Sequence, residues 1–356
     1  MIDLNNADEI RRVDTLGSIA ATENYDAQFL EGLDLANTVR LEKARGAFDE
    51  LLIIATGGGS SASAALLRSY LIDEMDIPVI ISQGYNIPAF VDKDTLVFAI
   101  SHSGNTEEVL SAYRQARQKG VSMYAITSGG KLERLCGEDG VPCLIVPQDI
   151  GHPRRDLGYI FVPMLVFLSK LGVIRDKTGE IEDLISMFST LKDRYGPGTP
   201  ISDNIAKQAA INLYGHIPII YGSLDFYDSV AWRIKNQFGE NSKLMAFYNI
   251  IPNLHHDEAV GWDMPPELMN KLYLLMLRDD QLDSDRIRKR KDITHEILRD
   301  RMGGVMELNA EGEGRLCRMF SLVYVGDFIT LYAPIYRGVD PTPVDVINLF
   351  KERMME

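Results

Sequence analysis

Hydrophobic positions along this chain fall into two textures. Between residues 25 and 45, Phe29, Leu33, Val39 and Leu41 recur at roughly helical spacing, which predicts helix. At residue 51 the texture changes. LLIIAT (51–56) is apolar without polar alternation, as in a strand buried on both faces. GGGSS follows, then a helical SAALLRSYLIDEM. PVIIS (78–82), TLVFAIS (95–101), MYAITS and CLIVP predict four further strands, with a helix over 107–118. Strand–loop–helix alternation calls for an α/β fold, a doubly wound parallel sheet of flavodoxin-like type with helices on both faces.

RYGPGT (194–199) interrupts this pattern, and the theme then repeats. HIPIIYGSLDFYDSVAWRIKNQF echoes LLIIATGGGSSASAALLRSYL. LYLLML (272–277) reads as a strand, and LVYVGDFITLYAPI as a strand followed by a helix. The expected organisation is an N-terminal helical segment (1–45) packed on a first α/β domain (46–196), followed by a second (197–356).

Composition narrows the function. The 356 residues carry 37 Lys and Arg against 51 Asp and Glu, a net charge of -14, which argues against a general nucleic-acid partner. The basic run RIRKRK (286–291) reads as a solvated helix face interrupted by Ile287 and Ile293. A small anion remains compatible, because helix N-termini and backbone N–H groups supply local positive field. Cys136, Cys143 and Cys317 are odd in number and form no CxxC pair, which fits a reducing compartment and offers no zinc signature. MIDLNNADEIRR lacks an apolar signal core, and the apolar run at 159–168 is too short for a bilayer. A cytoplasmic protein without a membrane partner is expected.

Two loops carry candidate chemistry. SHSGNTEE gathers Ser101, Ser103 and Thr106 around Gly104, just after a strand. Hydroxyls and helix-start N–H groups suit a phosphate. Asn105 as cap, with Glu108 in capping-box position, makes a plain turn equally compatible. In GGGSS, Gly57, Gly59 and Ala62 match the dinucleotide pattern G-x-G-x-x-A. That pattern wants an acid near the end of the next strand, and PVIISQGY has none there, so a phosphate monoester suits both loops better.

Together these stretches resemble a known family. ISHSGNTEE resembles the S-x-S-G-N-T signature of sugar isomerase (SIS) domains. TGGGSSASAALLRSYL, GHPRRDLGYIFVP, FGENSKLMAF with NLHHDEAVGW, and GVDPTPVDVINLFK resemble, in order and spacing, the bifunctional phosphoglucose/phosphomannose isomerases of archaea and some bacteria. The resemblance runs from about residue 51 to 351. It implies two SIS domains and a homodimer acting on a phosphosugar without cofactor. It further implies that Gly59, Ser60, Ser101, Ser103 and Thr106 hold the phosphate and that Arg154 steadies an enediolate. Glu240 would be the base and Lys351 would assist at the ring oxygen. His256 would open the sugar ring, reaching across from the partner subunit. The chain departs from the family at Gly239 of G-E-N-S-K, at His255 and Asp257 of H-H-D-E, at His152 of H-P-R, and at His102 inside the serine loop.

The chemistry is coherent with those residue types. Aldose–ketose isomerisation moves a proton between C1 and C2, work suited to a carboxylate whose pKa is raised by partial burial. A histidine titrating near neutrality suits ring opening. Adjacent His255, His256, Asp257 and Glu258 diverge in direction, so no metal is expected. Other readings are a non-catalytic phosphosugar-binding regulator, which needs no base, and an isomerase of another anionic sugar. His152, His216 and His295 are expected to be structural, Trp232 and Trp262 to pack, and one of Arg154 and Arg155 to be a surface charge.

Overall fold

The computed structural model describes residues 1–41, 46–148 and 153–354. Helices α1 (Ala7–Val13), α2 (Ser18–Glu23) and α3 (Tyr25–Thr38) open the chain. The first sheet follows: β1 (Glu50–Ala55), α4 (Gly58–Tyr70), β2 (Val79–Ser82), β3 (Thr95–Ser101), α5 (Glu107–Gln118), β4 (Ser122–Thr127), α6 (Gly130–Asp139) and β5 (Cys143–Ile145). Helices α7 (Leu157–Leu171), α8 (Thr178–Tyr195) and α9 (Ile205–Asn212) lead to the second sheet. It comprises β6 (Ile217–Ser223), α10 (Asp228–Glu240), β7 (Phe247–Ile251), α11 (Pro266–Met269), β8 (Leu272–Arg278), α12 (Asp285–Leu298) and β9 (Gly304–Asn309). Helices α13 (Gly314–Tyr336) and α14 (Asp345–Met354) end the described chain.

The chain divides into two compact units. One holds Asn24–Ser189 and Gly312–Met319, the other Met1–Glu23, Thr190–Glu311 and Phe320–Glu356. Residues 1–23 therefore group with the second sheet, while α3 packs with α7 beside the first.

Both sheets are wholly parallel, as the unalternated strands require. Their orders are β2-β1-β3-β4-β5 and β7-β6-β8-β9. In the first, Val97 and Ala99 join Tyr113 of α5 and Leu132 of α6 in one core layer. Phe98 points to the other face, where it and Tyr124 meet Phe167 of α7 edge-on. Strand alternation thus serves two helical layers at once.

Three expectations change. LVYVGDFITLYAPI is helical throughout, inside the 23-residue α13. An apolar run gives no period to separate strand from buried helix, and the apolar window of α13 is wholly buried. Strands β7 and β9 escaped the sequence reading because they are short and only half-buried, so no dense apolar run marks them. The basic run is largely spent internally. Lys291 is fully buried on Asp283, Arg288 donates to the carbonyls of Asp280 and Asp283, and Arg290 to His255, while Arg286 and Lys289 are exposed.

Candidate active site

In the first sheet Ala55 pairs with Ile100, so the loops after β1 and β3 leave the same edge side by side. This is the carboxyl edge, where open α/β sheets bind ligands. Gly57 enters α4 at φ +95, and buried Gly59 and Ser60 lie in the first helical turn. Across from them Ser101 Oγ and Thr106 Oγ1 lie 2.8 Å apart, and Ser103 is exposed. Neither loop contains a carboxylate.

The second loop is held from below. A Cβ on Gly104 (φ +65) would sit 1.7 Å from the Gly129 carbonyl, so only glycine allows this approach. Asn105 is not the expected helix cap. Thr106 occupies that position, and Asn105 instead donates to the Ser103 carbonyl (2.9 Å) and accepts from Lys131 N–H (3.3 Å). His102 lies buried beneath the loop with Nε2 3.3 Å from the Pro147 carbonyl, which makes that nitrogen the donor. Its own carbonyl accepts from Ser128 N–H (2.8 Å) and Oγ (2.7 Å). Burial holds the His102 pKa below its ordinary value. His102 is thus a neutral strut under the serine loop.

Arg154 stands in the short turn Pro153–Arg155 ahead of α7 in the same unit. Arg154 and Arg155 are both buried, which corrects the expectation of one surface charge. Gln28 clamps the turn, donating to the Arg155 carbonyl (2.7 Å) and accepting from Gly158 N–H (2.8 Å). His152 lies outside the described residues.

The other unit holds Glu240, His256 and Lys351. Glu240 is the half-buried last residue of α10. The rest of its motif is scaffold. Asn241 Nδ2 donates to Thr330 Oγ1 (3.0 Å), and Ser242 Oγ to the Thr330 carbonyl (2.6 Å). Lys243, at φ +54, directs Nζ to the carbonyls of Glu240 (2.7 Å), Asn241 (3.2 Å) and Pro341 (2.7 Å). Deeper in the same helix pair, Arg233 of α10 and Asp327 of α13 form a buried ion pair at 2.7 Å. These α13 residues are remote in sequence from Glu240 and left no local signal.

His256 ends a short turn (Asn253–His256) and is exposed, while its neighbours are fixed. Arg290 Nη1 lies 3.1 Å from His255 Nδ1, so Nδ1 accepts. His255 Nε2 then donates to Thr294 Oγ1 (2.8 Å), which donates to the Arg290 carbonyl (2.8 Å). Burial first, then the Arg290 and His256 charges, lowers the His255 pKa. On the other flank Glu258 accepts from Tyr221 Oη and from Asn249 Nδ2 (2.6 Å), and Trp262 Nε1 donates to Tyr221 Oη (3.3 Å). The ligand atoms of His255 and Glu258 are thereby engaged. Among the described residues no group of three or more His, Cys, Asp or Glu side chains is placed to hold a metal.

The elements that carry Glu240 and His256 pack differently on the second sheet. Tyr221 of β6 faces the turn that bears His256. Its neighbour Gly222 faces α10, where a Cβ would meet the Tyr227 carbonyl at 2.4 Å and Ala231 Cβ at 3.2 Å. Successive strand residues point to opposite faces, so the turn that bears His256 and the start of α10 pack on opposite faces of the second sheet. Lys351 is exposed on α14, a helix that starts four residues beyond Pro341, whose carbonyl accepts from Lys243.

Comparison with known proteins places this geometry. Residues 202–354 match the bacterial phospho-glucose isomerase C-terminal SIS domain, and residues 49–139 the SIS domain. The bifunctional phosphoglucose/phosphomannose isomerase of Caldicellulosiruptor bescii is 38% identical over 335 residues, 94% of this chain and 97% of the relative. That of Aquifex aeolicus is 36% identical over 308 residues, 85% of this chain and 90% of the relative. A glucose-6-phosphate isomerase like protein from Thermus thermophilus shares the fold at 18% identity and TM-score 0.61, covering 96% of this chain and 98% of that structure. The chain thus belongs to the bifunctional phosphoglucose/phosphomannose isomerase family.

Proposed function

We propose that this protein is an aldose–ketose isomerase. It interconverts glucose 6-phosphate, mannose 6-phosphate or both with fructose 6-phosphate by metal-free proton transfer through a cis-enediol. The observation that carries this reading is the pairing, in a member of this family, of two acid-free hydroxyl loops at one sheet edge with a glutamate held rigidly by its motif. Ser60, Ser101, Ser103 and Thr106, with the backbone at Gly59, take the phosphate. His256 moves the ring-opening proton, with Lys351 assisting at the ring oxygen. Glu240 removes the proton at C2 of the aldose while the C1 carbonyl oxygen gains a proton to give the enediol; the carbon-bound proton then returns to C1 as the C2 hydroxyl gives up its proton, replacing the one taken at O1, and becomes the ketone. Arg154 supplies fixed positive charge for the enediolate.

We propose further that the active form is a homodimer, with Glu240 meeting His256 of the partner subunit. Two observations support this. Within a chain the turn that bears His256 and the helix that ends in Glu240 pack on opposite faces of the second sheet. The same unit exposes Met245, Phe247, Val260, Val346 and Phe350, apolar surface of the kind that a second copy covers.

Incubation with fructose 6-phosphate and a chelator tests the activity, with glucose 6-phosphate and mannose 6-phosphate as readouts. Binding without turnover would instead identify a regulator, and loss of turnover on chelation would overturn the metal-free mechanism. Glu240→Gln is expected to lower kcat by roughly 10²–10⁴-fold, the usual worth of general acid–base catalysis.

A further inference from the structure

The second sheet repeats the topology of the first. β6 lies between β7 and β8 as β1 lies between β2 and β3, so the loops after β6 and β8 correspond to the serine loops after β1 and β3. What fills that edge is different. Asp283, in the loop after β8, accepts from Ser223 Oγ at the end of β6 (2.7 Å), from the backbone N–H of Asp279 (2.9 Å) and from Lys291 Nζ (2.5 Å). Lys291 Nζ also lies 3.4 Å from Ser223 Oγ. The Lys291 and Asp283 side chains are 0% and 2% exposed.

A strand-end hydroxyl, a backbone amide and a cation are the donors that hold a phosphate. Here they converge on the protein's own carboxylate. Desolvating such a pair is expensive and needs further hydrogen bonds to offset it; here Asp283 Oδ1 accepts one and Oδ2 two. We propose that the second sheet carries an anion cradle built from Ser223, the Asp279 amide and Lys291, and that the Asp283 carboxylate occupies it in place of a ligand phosphate. Asp283 is then a specificity-determining residue. It bars a phosphosugar from this edge by like charge and by volume, and leaves phosphate recognition to the first sheet. The proposal concerns an edge that the isomerase reading does not use, and it stands or falls independently.

Equilibrium binding of inorganic phosphate, with chloride at equal ionic strength as control, tests it on the full chain. Asp283→Gly empties the cradle and keeps its donors. It is expected to bind one phosphate per chain more than wild type, whatever number wild type binds. The double variant Asp283→Leu, Lys291→Met removes ligand and cation together and is expected to gain none. Should Asp283→Gly be unfolded without phosphate, phosphate added during refolding should restore its far-UV circular dichroism where chloride does not. No added site, a gain also seen in the double variant, or a variant that stays unfolded at every phosphate concentration would each overturn the proposal.

Discussion

Tyr221 and Gly222 are neighbours on β6, yet one faces the turn bearing His256 and the other faces α10, which ends in Glu240. The two elements that carry the acid–base candidates therefore pack on opposite faces of one sheet. If they work together across a two-fold axis, Glu240→Gln and His256→Ala homodimers are each inactive, but mixing them restores turnover. Half of randomly re-paired dimers then hold one intact site, so about a quarter of wild-type activity is expected. Steady-state rates after unfolding and joint refolding measure this, and no recovery would place both residues in one subunit.

Asn241 and Ser242 fix the end of α10 through Thr330. Asn241→Ala removes the donor to the buried Thr330 hydroxyl, which keeps its own bond to the Asp327 carbonyl, and about 0.5–1.5 kcal/mol of stability should go with it. Glu240, the proposed base, also loses its placement. The expected result is a fall in kcat larger than any change in KM, read from kinetics beside urea unfolding. Equal stability and kcat in wild type and variant would show that the clamp is idle.

His102 and His255 both have folded-state pKa values below the ordinary value of about 6.5. As pH falls through that value the unfolded chain takes up these protons before the folded one does. Their contribution is therefore present above about pH 6.5, declines toward the lowered folded values and is flat below them. Urea midpoints measured from about pH 8 to pH 5 should fall less steeply in His102→Asn and His255→Asn than in wild type.

Gly104→Ala forces a left-handed φ on a residue with a Cβ, at about 1–2 kcal/mol, and pushes that Cβ into the Gly129 carbonyl. The loop must shift, and the hydroxyls of Ser101 and Thr106 with it. A lower Tm and a KM raised by roughly ten-fold or more are expected. The change should spare kcat, because Glu240 belongs to the other unit.

Much of this was legible in the chain itself. The unalternated runs that became β1, β3 and β8 predicted parallel strands buried on both faces, and the small residues after β1 and β3 marked two loops that leave one edge of the first sheet. The motif around Glu240 and the H-H-D-E turn carried the family resemblance. Less legible were elements whose pattern is ambiguous. α13 is apolar on all sides and so has no period to betray a helix, while β7 and β9 are half-exposed and lack an apolar run.

Local sequence thus determined the kinds of element and the chemistry of each loop, because hydrophobic period, glycine and hydroxyl content act within a few residues. Tertiary structure decided which groups meet. That His102 props a loop on the Pro147 carbonyl, that Thr330 anchors the Glu240 turn, and that Lys291 is spent on Asp283 depend on contacts between segments distant in the chain. So does the packing of α10 and the His256 turn on opposite faces of β6, since the face a strand residue takes is decided by the layer that packs against it.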